Sequence, residues 1–272
     1  MATQAEMIRI DPAPTAAVEV AETPHNPGHN PGMPVRRNWG AAWRATRALM
    51  ANGDDTVQVF RIMRALNGDV TLRNYRRMLA HPVGGRLAYH RRELSERFCD
   101  RAWLDALPEG SVGAHYRAFL DRTGFSAKGL ADISVADNEG WQSIEHPVAW
   151  MGRRERDIHD IWHVLTGYTA EEHLGEACLV AFSYAQTGGL GWAAIGVAAA
   201  LKSLKVTGER LFAQAVIEGY RNGKRASWLH GEDYEALLAE PLDAARRRLN
   251  IAEPVKYKAA QARLREQGIQ GI

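Results

Sequence analysis

Two histidines four residues apart, in the run His159-Asp160-Ile161-Trp162-His163, are the side chains of this sequence best suited to chemistry. In a helix of 3.6 residues per turn their imidazoles project from one face. Asp160 lies on the adjoining edge, one turn before His163, and Glu176 follows thirteen residues after it. Imidazole and carboxylate without thiolate suit zinc, iron or manganese. The expected metal set is therefore His159, Asp160, His163 and Glu176. With all four groups bound, such a site is closed and structural. With Asp160 instead orienting a histidine, a position opens for water or substrate. A metal-free network of histidine and carboxylate is the competing account, because histidine pairs at this spacing are common. The apolar neighbours Ile158, Trp162, Leu174 and Leu179 favour the metal, since unpaired charge is costly among them.

The elements that must position these groups read as helices. Arg153 to Thr166 carries the histidines, with Ile158, Ile161, Trp162 and Leu165 as its apolar stripe and Gly167 as its terminator. Thr169-Ala170-Glu171-Glu172 has the form of a capping box, which starts a second helix running through Glu176 to about Gln186. Leu174, Ala177, Cys178, Ala181, Phe182 and Ala185 form its expected buried side. The two helices make a hairpin that brings Glu176 towards the histidine face.

Upstream, Trp43, Thr46, Leu49 and Met50 share one helical face. Val59, Ile62, Met63 and Leu66 share another after the break at Asn52-Gly53-Asp54-Asp55. Tyr75, Met78 and Leu79 precede His81-Pro82, which closes that segment. Leu94 to Leu107 reads as one helix, and Ser111 opens the next, with Tyr116, Phe119 and Leu120 on one side. A short β-branched piece, Ile133 to Val135, is the exception to an otherwise helical pattern. The fold class expected is all-α: a single helical domain over residues 36–272.

Residues 1–35 hold six of the eleven prolines and the tandem repeat His25-Asn26-Pro27-Gly28, His29-Asn30-Pro31-Gly32. Without a periodic apolar face they read as a disordered tail. The tail resembles neither a signal peptide nor an acid-poor transit peptide, so the expected location is the bacterial cytoplasm. A chain of 272 residues, 46% hydrophobic, is long enough to bury a sizeable core. Its net charge of +2 argues against a nucleic-acid partner. Cys99 and Cys178, far apart, suggest neither a disulfide scaffold nor a thiolate metal site.

Gly188 to Leu201 is an uncharged, weakly apolar run of fourteen residues, shorter than the roughly twenty needed to span a bilayer. It reads as a buried helix packed through small residues. The alternative is a surface that dips into a membrane or shelters a lipid tail, with Lys202 and Lys205 at the headgroup level. The basic clusters Arg221, Lys224, Arg225 and Arg246, Arg247, Arg248 read as solvated helix faces.

The run Arg154 to His163, followed by Leu174-Gly175-Glu176, resembles the family of ubiquinone (coenzyme Q) biosynthesis protein 4. The likeness extends through Ala185-Gln186-Thr187-Gly188, through Gln214 to Ala226, and upstream through Tyr116 to Leu120 and Thr123 to Ser126. It covers roughly residues 40 to 251. The loop between His163 and Glu176 is one residue longer here than in the family's eukaryotic pattern. The resemblance implies a zinc ion first, with iron or manganese as alternatives. It also implies a membrane face (here the inner membrane, held peripherally), contact with other quinone-biosynthesis proteins, and a polyprenylated quinone precursor as substrate. Surface apolar helices leave room for a homo-oligomer. The activity implied is removal of the ring carboxylate at C1, coupled to hydroxylation of that carbon. Asp160 is then the expected catalytic residue, and Arg154 and Arg156 are candidates to bind the carboxylate, unless they pair with Glu155 or Asp157. A non-catalytic organiser of the quinone pathway is the rival reading, and a metal-dependent phosphohydrolase the third.

Overall fold

The computed structural model describes residues 36–53, 55–125, 145–207 and 210–267. These residues form helices joined by short connections, with no strand among them. The Pro-rich tail and the Ile133 to Val135 piece lie outside the described residues. The helices are α1 (Trp39–Ala51), α2 (Thr56–Leu66), α3 (Val70–Ala80), α4 (Pro82–His90), α5 (Leu94–Phe98), α6 (Arg101–Asp105) and α7 (Val112–Thr123). There follow α8 (Pro147–Asp157), α9 (His159–Thr166), α10 (His173–Thr187), α11 (Leu190–Thr207) and α12 (Arg210–Arg225). A 3-10 turn at Leu229–Gly231 leads to α13 (Tyr234–Ala239), α14 (Leu242–Arg248) and α15 (Val255–Glu266).

Several boundaries follow local capping chemistry. Asn38 accepts from the Ala41 amide at 2.9 Å and opens α1. Ser111 accepts from Ala114 at 3.1 Å and opens α7. His81-Pro82 does more than close α3: the His81 imidazole accepts from the Gly84 amide and Pro82 begins α4. The single helix expected over Leu94 to Leu107 is two. Asp100 interrupts it by accepting from the Trp103 amide at 3.0 Å, which caps α6. The apolar face expected on α1 is also corrected. Ala42 and Ala45 are buried, whereas Trp43 is 65% exposed. Small side chains let α1 pack on Ile62 and Leu66 of α2, and that close approach turns Trp39 and Trp43 outward.

The main core gathers Ile161, Trp162 and Leu165 of α9, Cys178 and Phe182 of α10, and Phe212 and Ala215 of α12. Burying a side chain such as Phe182 or Phe212 stabilises by roughly 1.5–3 kcal/mol. The backbones of α10 and α12 nearly touch: a Cβ on Gly219 would stand 2.3 Å from the Cys178 carbonyl oxygen. The apolar run expected to be buried is α11. Ile195 packs with Val180 and the α2 residues, while Val197 and Leu201 stay exposed. No helix among the described residues is long and apolar enough to cross a membrane.

Candidate metal centre

The histidine helix begins earlier than its sequence suggests, at Pro147, and breaks at Ile158 (φ −83°, ψ −8°). The break ends α8 and lets α9 start at His159. Gly167, at φ +77°, ends α9 in the left-handed conformation, as its position predicts. The expected capping box at Thr169 does not form, and α10 starts one turn later, at His173. Both groups of the box are taken by α15: the Thr169 and Tyr257 hydroxyls pair at 2.8 Å, and the Glu172 carboxylate accepts from Gln261 at 3.0 Å. Glu176 therefore stands in the first turn of α10. The loop passes so close that a Cβ on Gly175 would meet the Thr169 carbonyl oxygen at 2.0 Å. Only glycine permits that approach, and the approach sets where the next residue, Glu176, emerges.

His163 Nε2 lies 3.2 Å from one Glu176 oxygen, and His159 Nε2 lies 3.7 Å from the other. One ligand atom from each of the three lies within 4.8 Å of the rest. His163 is buried, whereas the Glu176 side chain is 38% exposed and opens the group to the surface. His163 Nδ1 lies 2.8 Å from the Tyr168 carbonyl oxygen. A carbonyl can only accept, so Nδ1 carries the proton, and a neutral ring then presents a lone pair at Nε2. That lone pair faces a carboxylate, and two acceptors in opposition need a proton or a cation between them. The donor set of two imidazoles and one carboxylate fits a divalent cation such as zinc, iron or manganese.

Electrostatics tell the same story. Burial opposes charge on His163, yet the adjacent Glu176 carboxylate outweighs it and raises its pKa. Burial likewise opposes ionisation of Glu176, but His163 and His159 prevail and hold it well below the usual carboxylate range. The ring of Phe119 stacks on His163 at 5.8 Å, and Trp192 stacks on His159 at 5.8 Å with 4° between planes. These aromatic walls leave the carboxylate side as the open approach.

Asp160 is buried beside the three but does not join their cluster. Among the described residues its carboxylate has no hydrogen-bond donor. Burial pushes its pKa up, against the pull of His159 and His163. Its charge acts on the Tyr116 hydroxyl, which is itself buried without a partner.

Arg154 and Arg156 point elsewhere. Arg154 is 2% exposed and donates to the backbone carbonyls of His230 at 3.2 Å and Glu232 at 2.5 Å. Arg156 pairs with Asp157 at 2.6 Å, one of the two salt-bridge partners the sequence offers. Of the second basic cluster, Arg246 is not a solvated group: it donates to the carbonyls of Leu165 at 2.8 Å and Val164 at 3.1 Å, closing the last turn of α9. Sequence reading missed Arg246, Trp192 and the Tyr168 carbonyl as supports of the centre. Trp192 lies in a run that reads as plain core, and no local pattern marks the other two.

An all-helical fold with two histidines and a glutamate converging beneath aromatic walls defines a helical protein with a candidate metal centre. The sequence pattern of the family described as coenzyme Q (ubiquinone) biosynthesis protein Coq4 matches residues 27–255, so the chain belongs to the Coq4 family. A mitochondrial ubiquinone biosynthesis protein COQ4 homolog of Mus musculus is 31% identical over 238 residues, covering 85% of this chain and 84% of the relative. The mitochondrial ubiquinone biosynthesis protein COQ4 of Uncinocarpus reesii is 27% identical over 253 residues, covering 90% of this chain and 84% of that protein. A crystal structure from Nostoc punctiforme PCC 73102, provisionally named a ubiquinone biosynthesis protein, superimposes with a TM-score of 0.55. It is 20% identical and covers 80% of this chain and all of its own, a likeness of fold.

Proposed function

We propose that this protein removes the C1 carboxylate of a polyprenylated 4-hydroxybenzoate-type ring and hydroxylates that carbon, as a step of ubiquinone biosynthesis at a membrane face. The observation that carries the reading is the opposition of His159 and His163 to Glu176 at an opening between aromatic walls, in a member of the Coq4 family. His159, His163 and Glu176 would hold the metal, zinc first. When bound, the metal supplies a Lewis acid for the substrate carboxylate or an oxygen species. Zinc performs no redox chemistry, so the oxidant comes from outside. With dioxygen as that oxidant, the bond from C1 to the carboxyl carbon breaks and carbon dioxide leaves. One oxygen atom bonds to C1, and the other departs as water, with two electrons and the required protons drawn from a reductant.

The chain's own residues contribute position and proton handling. Asp160, buried and without a donor, can accept a proton beside the reacting ring. The Phe119 and Trp192 rings offer apolar surface against the aromatic substrate. The exposed Val197 and Leu201 of α11 are suited to the isoprenoid tail and to a lipid surface, which favours a peripheral station on the bacterial inner membrane among other quinone-pathway proteins. The test is the lipid profile of a strain deleted for the gene, complemented with wild type or Asp160→Asn, with the metal content of both purified proteins. The expected result is a polyprenyl ring that keeps its carboxylate, cleared by wild type and not by a metallated Asp160→Asn. Full rescue by that variant takes Asp160 out of the chemistry and favours the organiser reading.

A further inference from the structure

The two histidines of the centre are held differently. His163 has its Nδ1 fixed by the Tyr168 carbonyl at 2.8 Å. His159 has no such tether among the described residues. Its ring meets the edge of His163 at 5.1 Å and lies parallel to the Trp192 indole. A stack alone fixes a ring plane only if the partner ring is itself fixed. Trp192 is: its Nε1 donates to Glu155 Oε1 at 3.2 Å, across from α11 to α8. The start of α11 is pinned too, since the Gly191 amide donates to Asn67 at 3.0 Å and a Cβ there would meet the Met63 sulfur at 2.5 Å.

Glu155 is an unusual residue to find here. Its side chain is 11% exposed, and its second oxygen faces the wholly buried His230, 3.8 Å from Nε2, beyond hydrogen-bond length. Burial pushes its pKa up to about 7, so keeping it there costs stability. An apolar side chain of the same size would remove that cost. The group it does hold firmly is the indole against His159.

We infer that Glu155 is a positioning residue: acting through the Trp192 indole, it fixes the ring plane of His159 and thereby sets the affinity of the centre for a divalent cation. The inference rests on the metal reading of the His159, His163 and Glu176 group. Partners outside the ligand shell that orient a ligating histidine are generally worth ten- to a hundredfold in metal affinity. Here the orienting force reaches the ring through a stack instead of a hydrogen bond, which places the effect at the lower end.

The experiment compares Zn2+ and Co2+ affinity, by chelator competition, for the full chain and for Glu155→Gln, Glu155→Leu, Trp192→Phe and the Glu155→Leu/Trp192→Phe double variant. Glu155→Gln keeps an acceptor for the indole and should bind within twofold of wild type. Glu155→Leu loses the acceptor and Trp192→Phe the donor; each should bind about tenfold more weakly. The double variant should lose no more than either single, because both break one link. A merely structural Glu155 would move the melting temperature of Glu155→Leu and leave its metal affinity within twofold of wild type, and that result overturns the inference. Additive losses in the double variant overturn it as well. Imidazole proton resonances of His159 in the metal-free protein provide a second readout. The stack displaces them upfield, and Glu155→Leu should relax that displacement. Unchanged resonances refute the clamp even if wild type binds no cation, a result that refutes the metal reading separately.

Discussion

Helix α8 and the corner formed by α9 and α10 adjoin each other, and both are dense in ionisable groups. On α8 the charged groups that the structure places are engaged by the protein itself, Glu155 through one oxygen only. Arg153 holds Glu93 at 2.7 Å, Arg154 serves two carbonyls, and Arg156 holds Asp157, which also accepts from the Ser95 amide at 3.1 Å. At the corner, His159, His163 and Glu176 turn their ligand atoms on one another, and a proton or a cation must lie between them. The difference teaches that the number of charged residues marks neither a site nor its absence. What marks one is coordinating capacity that the fold leaves unused and open to the surface.

The sharpest way to separate the two regions is to remove one group from each. Glu176→Gln should weaken divalent-metal binding more than a hundredfold, beyond the range of outer-shell effects, and lower the chemical-denaturation midpoint of the metal-free protein only by what the lost pairing with His163 and His159 contributes. Arg154→Met should do the reverse. It leaves the carbonyls of His230 and Glu232 without a donor and costs about 3 kcal/mol, read from urea unfolding, with the metal-to-protein ratio of the folded fraction unchanged. A loss of metal in Arg154→Met, with stability preserved, would erase the distinction and return Arg154 to the site.

Gly175→Ala tests whether the corner can be disturbed through packing alone. The added methyl group displaces the Thr169 carbonyl or the start of α10, so stability should fall by about 2 kcal/mol. Metal affinity should fall with it, because Glu176 moves. Equal affinity at reduced stability would show that the loop yields and α10 does not.

A gentler probe is pH. Burial first, then Arg154 and Arg77, pushes His230 down to about 3, against about 6.5 for an unfolded histidine. Between those values the unfolded chain binds a proton that the native one does not. This contribution to stability is therefore complete above about pH 6.5 and is lost progressively as the pH falls towards 3. His230→Leu should flatten the acid side of a stability profile; an unaltered slope would assign it to other groups. The smallest effect belongs to a pair with neither burial nor ligand. Arg122→Ala, which removes the exposed partner of Glu171, should change stability by no more than about 0.5 kcal/mol in thermal unfolding.

Much of this contrast could be read from the sequence. The i,i+4 histidines, the later glutamate and the terminating Gly167 rest on local geometry, and local geometry held. The readings that failed concern competition, some of it local, as where Asp100 caps α6, and some between distant segments. Thr169 and Glu172 have the residues of a capping box, but Tyr257 and Gln261 of α15, almost ninety positions away, bind them first. Trp43 has the period of a core residue, yet the alanines beside it make the closer contact. Arg154 and Arg156 look alike on paper. Both side chains are nearly covered, but Arg154 donates to the carbonyls of the loop around His230 while Arg156 pairs with its neighbour Asp157. No window of sequence contains that information.

Arg246 adds a matter of timing. The ligand histidines are four positions apart and can share a helix face as soon as α9 forms, but the last turn of that helix is completed by a residue 81 and 82 positions downstream. Contacts of such separation form late, because a long loop must close before they stabilise anything. The centre is thus written in one segment and finished by another more than eighty positions downstream. During synthesis the histidines emerge well before the group that steadies them. A nascent chain halted before Arg246 should therefore capture a divalent cation weakly, and one extended past it should capture the cation firmly, a difference that stalled-chain metal binding would measure.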